Sequence, residues 1–214
     1  VDENSGIADY VHAYTAFAEK NIGDYFTINI SCPNSYGGQS FLEPHSLSRL
    51  LDALYKTRLK YKDTKPWFLK LAADLYPTAI DDLIVVARTY YITGFICSNL
   101  TKNRHNKKII DKNIPIHGGL SGAVIKELSN NLIRQIYKKT GHEFIIIGCG
   151  GIFSAEDAYT KIKAGASLIQ LITGMIFEGP QLISQINKGL VTLLQKDGYT
   201  SIDQAIGADY RENI

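Results

Sequence analysis

The chain has 214 residues, 45% of them hydrophobic and 21% charged, and a net charge of +2. Those values belong to an ordinary globular domain with a sizeable core, and a charge so near neutrality excludes a nucleic-acid binder held by a polycationic surface. No run of about 18 apolar residues is present to span a bilayer, and Val1-Asp2-Glu3-Asn4 lacks an initiator Met and the basic and apolar parts of a signal peptide, so the sequence is expected to be cut from a longer chain.

Short apolar runs alternate with amphipathic stretches along the whole sequence. The runs are residues 26–31 (FTINIS), 67–72 (WFLKLA), 94–98 (GFICS), 144–148 (FIIIG) and 168–173 (LIQLIT). Each is nearly continuous in Ile, Leu and Phe rather than alternating, which predicts strands covered on both faces, hence a parallel sheet. Between them, Leu47, Leu50, Leu51 and Leu54 follow Pro44 at helical spacing, and Ile80, Leu83, Ile84 and Ala87 follow Pro77. Leu128, Leu132, Ile133 and Ile136 form a third stripe that stops near Gly141. Residues 154–164 open on Ser154 with acids in the first turn and stop at Gly165, and residues 181–194 close the series.

The class is therefore α/β, without a linker or repeat. A Rossmann reading needs a glycine-rich turn after the first strand, and Ile30-Ser31-Cys32-Pro33-Asn34 is not one. Polar residues gather instead where each strand ends, as at the mouth of a (β/α)8 TIM barrel. Five strands do not close such a barrel. The expectation is a single barrel domain over residues 1–214 that holds approximately strands 4 to 8, with roughly three strands upstream.

The first run ends in Asn29 to Asn34, where two amides flank Cys32. Paired asparagines suit a planar, amide-rich ring, and a plain strand end with turn-forming Asn and Pro is the alternative. Lys70 stands inside a strand, where a cation is costly without a partner. A phosphate or an electron-rich cofactor edge would meet it; a snorkelling or ion-paired lysine is the alternative. The third run ends in Ser98 and Asn99. The fourth ends in Gly148-Cys149-Gly150-Gly151 and the fifth in Ile172-Thr173-Gly174, two consecutive tips of the kind that bring backbone N–H groups to a phosphate. Gly118-Gly119-Leu120-Ser121-Gly122 adds a second glycine-rich loop. Cys32, Cys97 and Cys149 are far apart and odd in number, which predicts reduced thiols rather than a disulfide or zinc site. The five histidines share no spacing, and no metal is assigned.

Taken in order, Asn-Ile-Ser-Cys-Pro-Asn, Phe-Leu-Lys-Leu, Cys-Ser-Asn-Leu-Thr, Gly-Gly-Leu-Ser-Gly, Ile-Gly-Cys-Gly-Gly-Ile and Ala-Gly-Ala-Ser-Leu-Ile-Gln-Leu resemble the dihydroorotate dehydrogenase family. Ala205 to Asp209 resembles the C-terminus of its quinone-using class. The resemblance implies FMN as cofactor and oxidation of dihydroorotate to orotate in pyrimidine biosynthesis. It also implies a membrane quinone as acceptor, with peripheral contact at an inner membrane made by the upstream part. Cys32 matches the catalytic base. Asn29, Asn34 and Asn99 match substrate contacts. Asn29, Lys70, Ser98, Gly122, Gly151, Ile172, Thr173 and Gly174 match positions along the flavin and its phosphate.

This sequence departs from the quinone class at four places. Cysteine replaces the usual serine at position 32, Leu100 replaces a threonine, and Ile172 replaces a tyrosine. Tyr36-Gly37-Gly38-Gln39 stands where Gly-Leu-Arg often follows the loop asparagine. The cysteine is typical of the soluble class, so a fumarate- or NAD-linked enzyme, or a dihydropyrimidine dehydrogenase-like barrel, is the alternative. A non-catalytic phosphate-binding barrel is a further one.

Overall fold

A computed structural model describes residues 2–31 and 41–211. Five strands, β1 (Phe26–Asn29), β2 (Trp67–Leu71), β3 (Gly94–Cys97), β4 (Ile145–Cys149) and β5 (Leu168–Gln170), form one sheet in sequential order. Every neighbouring pair is parallel. The helices are α1 (Glu3–Glu19), α2 (Pro44–Tyr61), α3 (Pro77–Thr89), α4 (Lys126–Thr140), α5 (Ala155–Lys163), α6 (Thr173–Glu178) and α7 (Leu182–Lys196). A strand order that never reverses has no switch point, so the sheet is not a doubly wound one. It is an arc of a β/α barrel.

The faces of the sheet confirm this. Alternate residues of a strand point to opposite sides. Ile28, Trp67, Leu69, Leu71, Phe95 and Ile146 lie on one side, buried in a cluster with Leu47, Leu50 and Leu51 of α2, Ile80 and Leu83 of α3, Leu132 and Ile133 of α4, and Ile162 of α5. The helices therefore cover that outer face. Phe68, Ile96 and Ile147 form a separate cluster on the inner face, with Cys149 packed against it. The inner face is only partly covered within these residues: Ile145 is 39% and Leu168 56% exposed. Among the described residues no helix is long and apolar enough to cross a membrane.

Local signals explain the element ends. Pro44 and Pro77 open α2 and α3, where a missing N–H costs nothing. The Ser154 hydroxyl accepts from Asp157 N at 3.3 Å and caps α5.

Two expectations need correction, and one helix was not foreseen. Helix α1 has no single apolar stripe, burying only Tyr14 and Ala18 while leaving Phe17 48% exposed, so periodicity did not reveal it. Strand β5 ends at Gln170, and Thr173 and Gly174 open α6 instead of ending a strand. On α4 the buried face includes Ser129 and Asn130, while Leu128 lies to one side of it.

The outer cluster carries the stability. Leu69→Ala deletes a side chain with no exposed surface and is expected to cost about 2–5 kcal/mol. Leu59→Ala, at a 60% exposed position of α2, should stay within about 0.5 kcal/mol. Urea unfolding of the two variants side by side measures the difference; equal losses would contradict the assignment of faces.

Candidate active site

Beyond the C-terminal ends of β2 to β5 lies a cleft. Lys70, Ser98, Asn99, Gly122, Gly151, Ile172, Thr173 and Gly174, all singled out in the sequence, line it together. Asn29 joins from β1 through a hydrogen bond to Asn99. Cys32 and Asn34 lie outside the described residues.

Beyond its ladder with β2, the β1 end is tied to its neighbours by side chains. Asn99 Nδ2 donates to Asn29 Oδ1 at 3.2 Å and to Ser31 Oγ at 3.3 Å. Ser31 Oγ donates to the Lys70 carbonyl at 2.9 Å, joining the end of β1 to β2. The Tyr10 hydroxyl of α1 donates to the Asn29 carbonyl at 2.5 Å. This network engages the Asn29 oxygen and the Asn99 nitrogen. Among the described residues, an amide donor on Asn29 and an amide acceptor on Asn99 are left over, a pair that could meet a ring carrying both an acceptor and a donor.

Lys70 projects from the inner face of β2, two residues beyond Phe68, and is half-buried. Among the described residues no carboxylate pairs with it, so the ion-paired alternative finds no support. Cys149 lines the same cleft. Burial pushes its thiol above the ordinary value, against the pull of the Lys70 and then the Lys161 ammonium.

The other end of the cleft is built from backbone. After the cis Cys97–Ser98 peptide, Ser98 N donates to the Cys149 carbonyl and Asn99 N to the Leu71 carbonyl, both at 2.7 Å. This fastens the β3 tip to both flanking strands. Gly151 has φ +69°, and a Cβ there would collide with the backbone of Lys126. A Cβ on Gly174 would collide with the Ile152 carbonyl oxygen. Three backbone segments thus meet with no side chain between them, and Thr173 Oγ1 donates to Ser121 Oγ at 3.0 Å across the gap. Such a wall brings amides and hydroxyls within reach of an anionic group.

Sequence reasoning missed several residues here. Ser31 had no mark beyond its place between Asn29 and Cys32, yet it links three elements. Asp74 accepts from Thr101 Oγ1 at 2.7 and 2.8 Å and from Lys102 N at 3.0 Å, holding the chain as it leaves β3. A short carboxylate just past a strand was the available signal. Ser121 was visible only as part of a glycine-rich loop.

The family model for dihydroorotate dehydrogenase matches residues 1–194. A relative named dihydroorotate dehydrogenase (quinone) from Myxococcus xanthus is 40% identical over 206 residues, 96% of this chain and 55% of that protein. One of the same name from Trichormus variabilis is 42% identical over 209 residues, 95% of this chain and 54% of the relative. A crystal structure of DHODH from Eimeria tenella in complex with ferulenol superposes with a TM-score of 0.84 at 28% identity, covering 96% of this chain and 58% of that one. The chain spans about half the length of the curated relatives it matches. With a cleft at the mouth of a β/α arc and these likenesses over most of its length, the chain belongs to the dihydroorotate dehydrogenase family.

Proposed function

We propose that the whole protein oxidises dihydroorotate to orotate with FMN held in this cleft, in pyrimidine biosynthesis, and passes the electrons to a membrane quinone. The observation that carries the reading is the convergence of Lys70, Asn29, Asn99 and a glycine-lined backbone wall at one end of the parallel strands.

The residues present fit a flavin mononucleotide. A lysine and amides suit the ring end, and the crowded backbone at Gly151 and Gly174 with the Ser121 and Thr173 hydroxyls suits a phosphate. Ser98, Gly122 and Ile172 would lie along the ring and its chain. When bound, the flavin supplies the two-electron acceptor, chemistry that no side chain offers. The protein's share is placement and proton transfer. Asn29, Asn34 and Asn99 would hold the pyrimidine ring in one orientation. Cys32 would take the proton from C5 as a hydride leaves C6, so the substrate loses one proton and one hydride on becoming orotate. Lys70 would set a positive charge beside the reduced ring.

The names of the relatives support quinone as the acceptor; contact with the membrane would be peripheral and made upstream of these residues. Cysteine at position 32, typical of the soluble class, favours a second reading in which fumarate or NAD+ takes the electrons. Purified whole protein should be yellow, bleach under dihydroorotate and reoxidise with a short-chain quinone. Reoxidation by fumarate or NAD+ alone would decide for the second reading, and bleaching by dihydrouracil in place of dihydroorotate would overturn the substrate.

Two substitutions test the assignments. Lys70→Ala should weaken FMN retention and slow flavin reduction with the melting temperature nearly unchanged; retained flavin and a wild-type rate would make Lys70 a bystander. Cys32→Ala should slow flavin reduction by roughly 100- to 10,000-fold while orotate still binds, and Cys32→Ser should recover part of the rate. For the wild type, stopped-flow reduction should accelerate with rising pH as the thiolate fraction grows. An alanine variant that reduces FMN at the wild-type rate would remove Cys32 from the mechanism.

A further inference from the structure

Behind the cleft, on the helix side of the sheet, lies a lysine that none of the chemistry above uses. Lys161 of α5 has no exposed surface. Its ammonium donates to Asn130 Oδ1 at 2.7 Å and to Ser129 Oγ at 2.8 Å, both on α4. The Ser129 hydroxyl lies 2.9 Å from the Cys97 carbonyl and 2.8 Å from the Cys149 carbonyl. Those carbonyls belong to the last residues of β3 and β4. The residues that follow, Ser98 and Asn99 on one strand and Gly150 and Gly151 on the other, line the cleft.

A buried ammonium without a paired carboxylate is costly, and an apolar side chain could fill the same space. The nearest acid on its own helix, Asp157, is engaged by Lys126 and by Phe153 N. The cation nevertheless does something that a hydrophobe could not. A serine near the start of a helix can turn its hydroxyl back to a carbonyl of the preceding turn. An ammonium that donates to Oγ occupies a lone pair and directs the hydroxyl proton away from itself, toward the two strand-end carbonyls. Burial lowers the Lys161 pKa to about 8, which is still above neutrality.

We infer that Lys161 is a positioning residue for the cofactor: acting through Ser129, it clamps the carbonyls that end β3 and β4 and so fixes the spacing of the Ser98–Asn99 and Gly150–Gly151 tips. The inference rests on the reading of the cleft as the FMN site.

The test uses the whole protein stripped of FMN and titrated with FMN by fluorescence, as wild type, Ser129→Ala, Lys161→Met and the double variant. Leu54→Ala, a core change on α2 away from the cleft, serves as the control for lost stability. Each single variant should raise the FMN dissociation constant by about tenfold, the scale of one charge-assisted hydrogen bond. The double variant should be no worse than either single one, and the visible spectrum of the bound flavin should shift in all three. The control should lose melting temperature without change in affinity or spectrum. Wild-type affinity in Ser129→Ala, additive losses in the double variant, or an equal loss in the control would each overturn the clamp. Should Lys161→Met fail to fold, Ser129→Ala removes only a hydroxyl and decides the matter by its own affinity. Wild-type protein that binds no FMN would overturn the proposed cofactor, and the clamp with it.

Discussion

A parallel sheet needs cover on both faces, and among the described residues the helices pack against one of them. The strands are three to five residues long, so each places at most three side chains on either side. On the outer face those few positions are filled by Trp67, Leu69, Leu71, Phe95 and Ile146, none more than 1% exposed, locked against the stripes of α2, α3 and α4. This dense outer layer fixes the strands in register and relieves the inner face of the task. The inner face can then carry polar groups in sequence with apolar ones: Lys70 two residues beyond Phe68, and Cys149 two residues beyond Ile147.

The same constraint sends the functional groups to the strand ends. Short strands run out of ladder partners quickly, and their last carbonyls and amides need other company. Here that company is specific. The Ser31 hydroxyl meets the Lys70 carbonyl, the amides of Ser98 and Asn99 meet carbonyls on both neighbouring strands, and the Ser129 hydroxyl meets two carbonyls at once. Satisfying these backbone groups also fixes the tips, so the side chains they carry are held before any ligand arrives, which is what a site built for orientation requires. Closing the Gly151 and Gly174 approaches with larger residues would disturb this wall at its tightest points.

The strands and most helices were legible because their signals are local: continuous apolar runs, stripes at helical spacing, and Pro or Ser at helix starts. The ends were less so. Residues 171–173 read as strand from their hydrophobicity, but the chain turns there to begin α6. Helix α1 packs through two residues and gives no stripe. Within the cleft, glycines and the lone strand lysine stood out by residue type alone, whereas Ser31, Ser129 and Asp74 matter through partners 20 to 39 residues away. No pattern in the sequence announces such pairs. Lys161 is an intermediate case: its spacing from Ala158, which is buried, put it on the sheet-facing side of α5. A charge on an apolar face was therefore readable, but its partners on α4 were not.

Two lysines end up near one cysteine, on opposite faces of the sheet, and the difference between them is set by their surroundings. Lys70 opens onto the cleft with no acid paired to it among the described residues, while the ammonium of Lys161 is spent on Ser129 and Asn130. Both act on Cys149, Lys70 more strongly, yet burial outweighs them and keeps that thiol above its ordinary value. It is therefore protonated and neutral at physiological pH. A thiolate there would neutralise Lys70 and compete with any electron-rich ring for it; a neutral thiol does neither. The raised thiol thus belongs to the electrostatics of the cleft as much as the lysine does: it leaves the positive charge on the inner face uncancelled and facing the cleft.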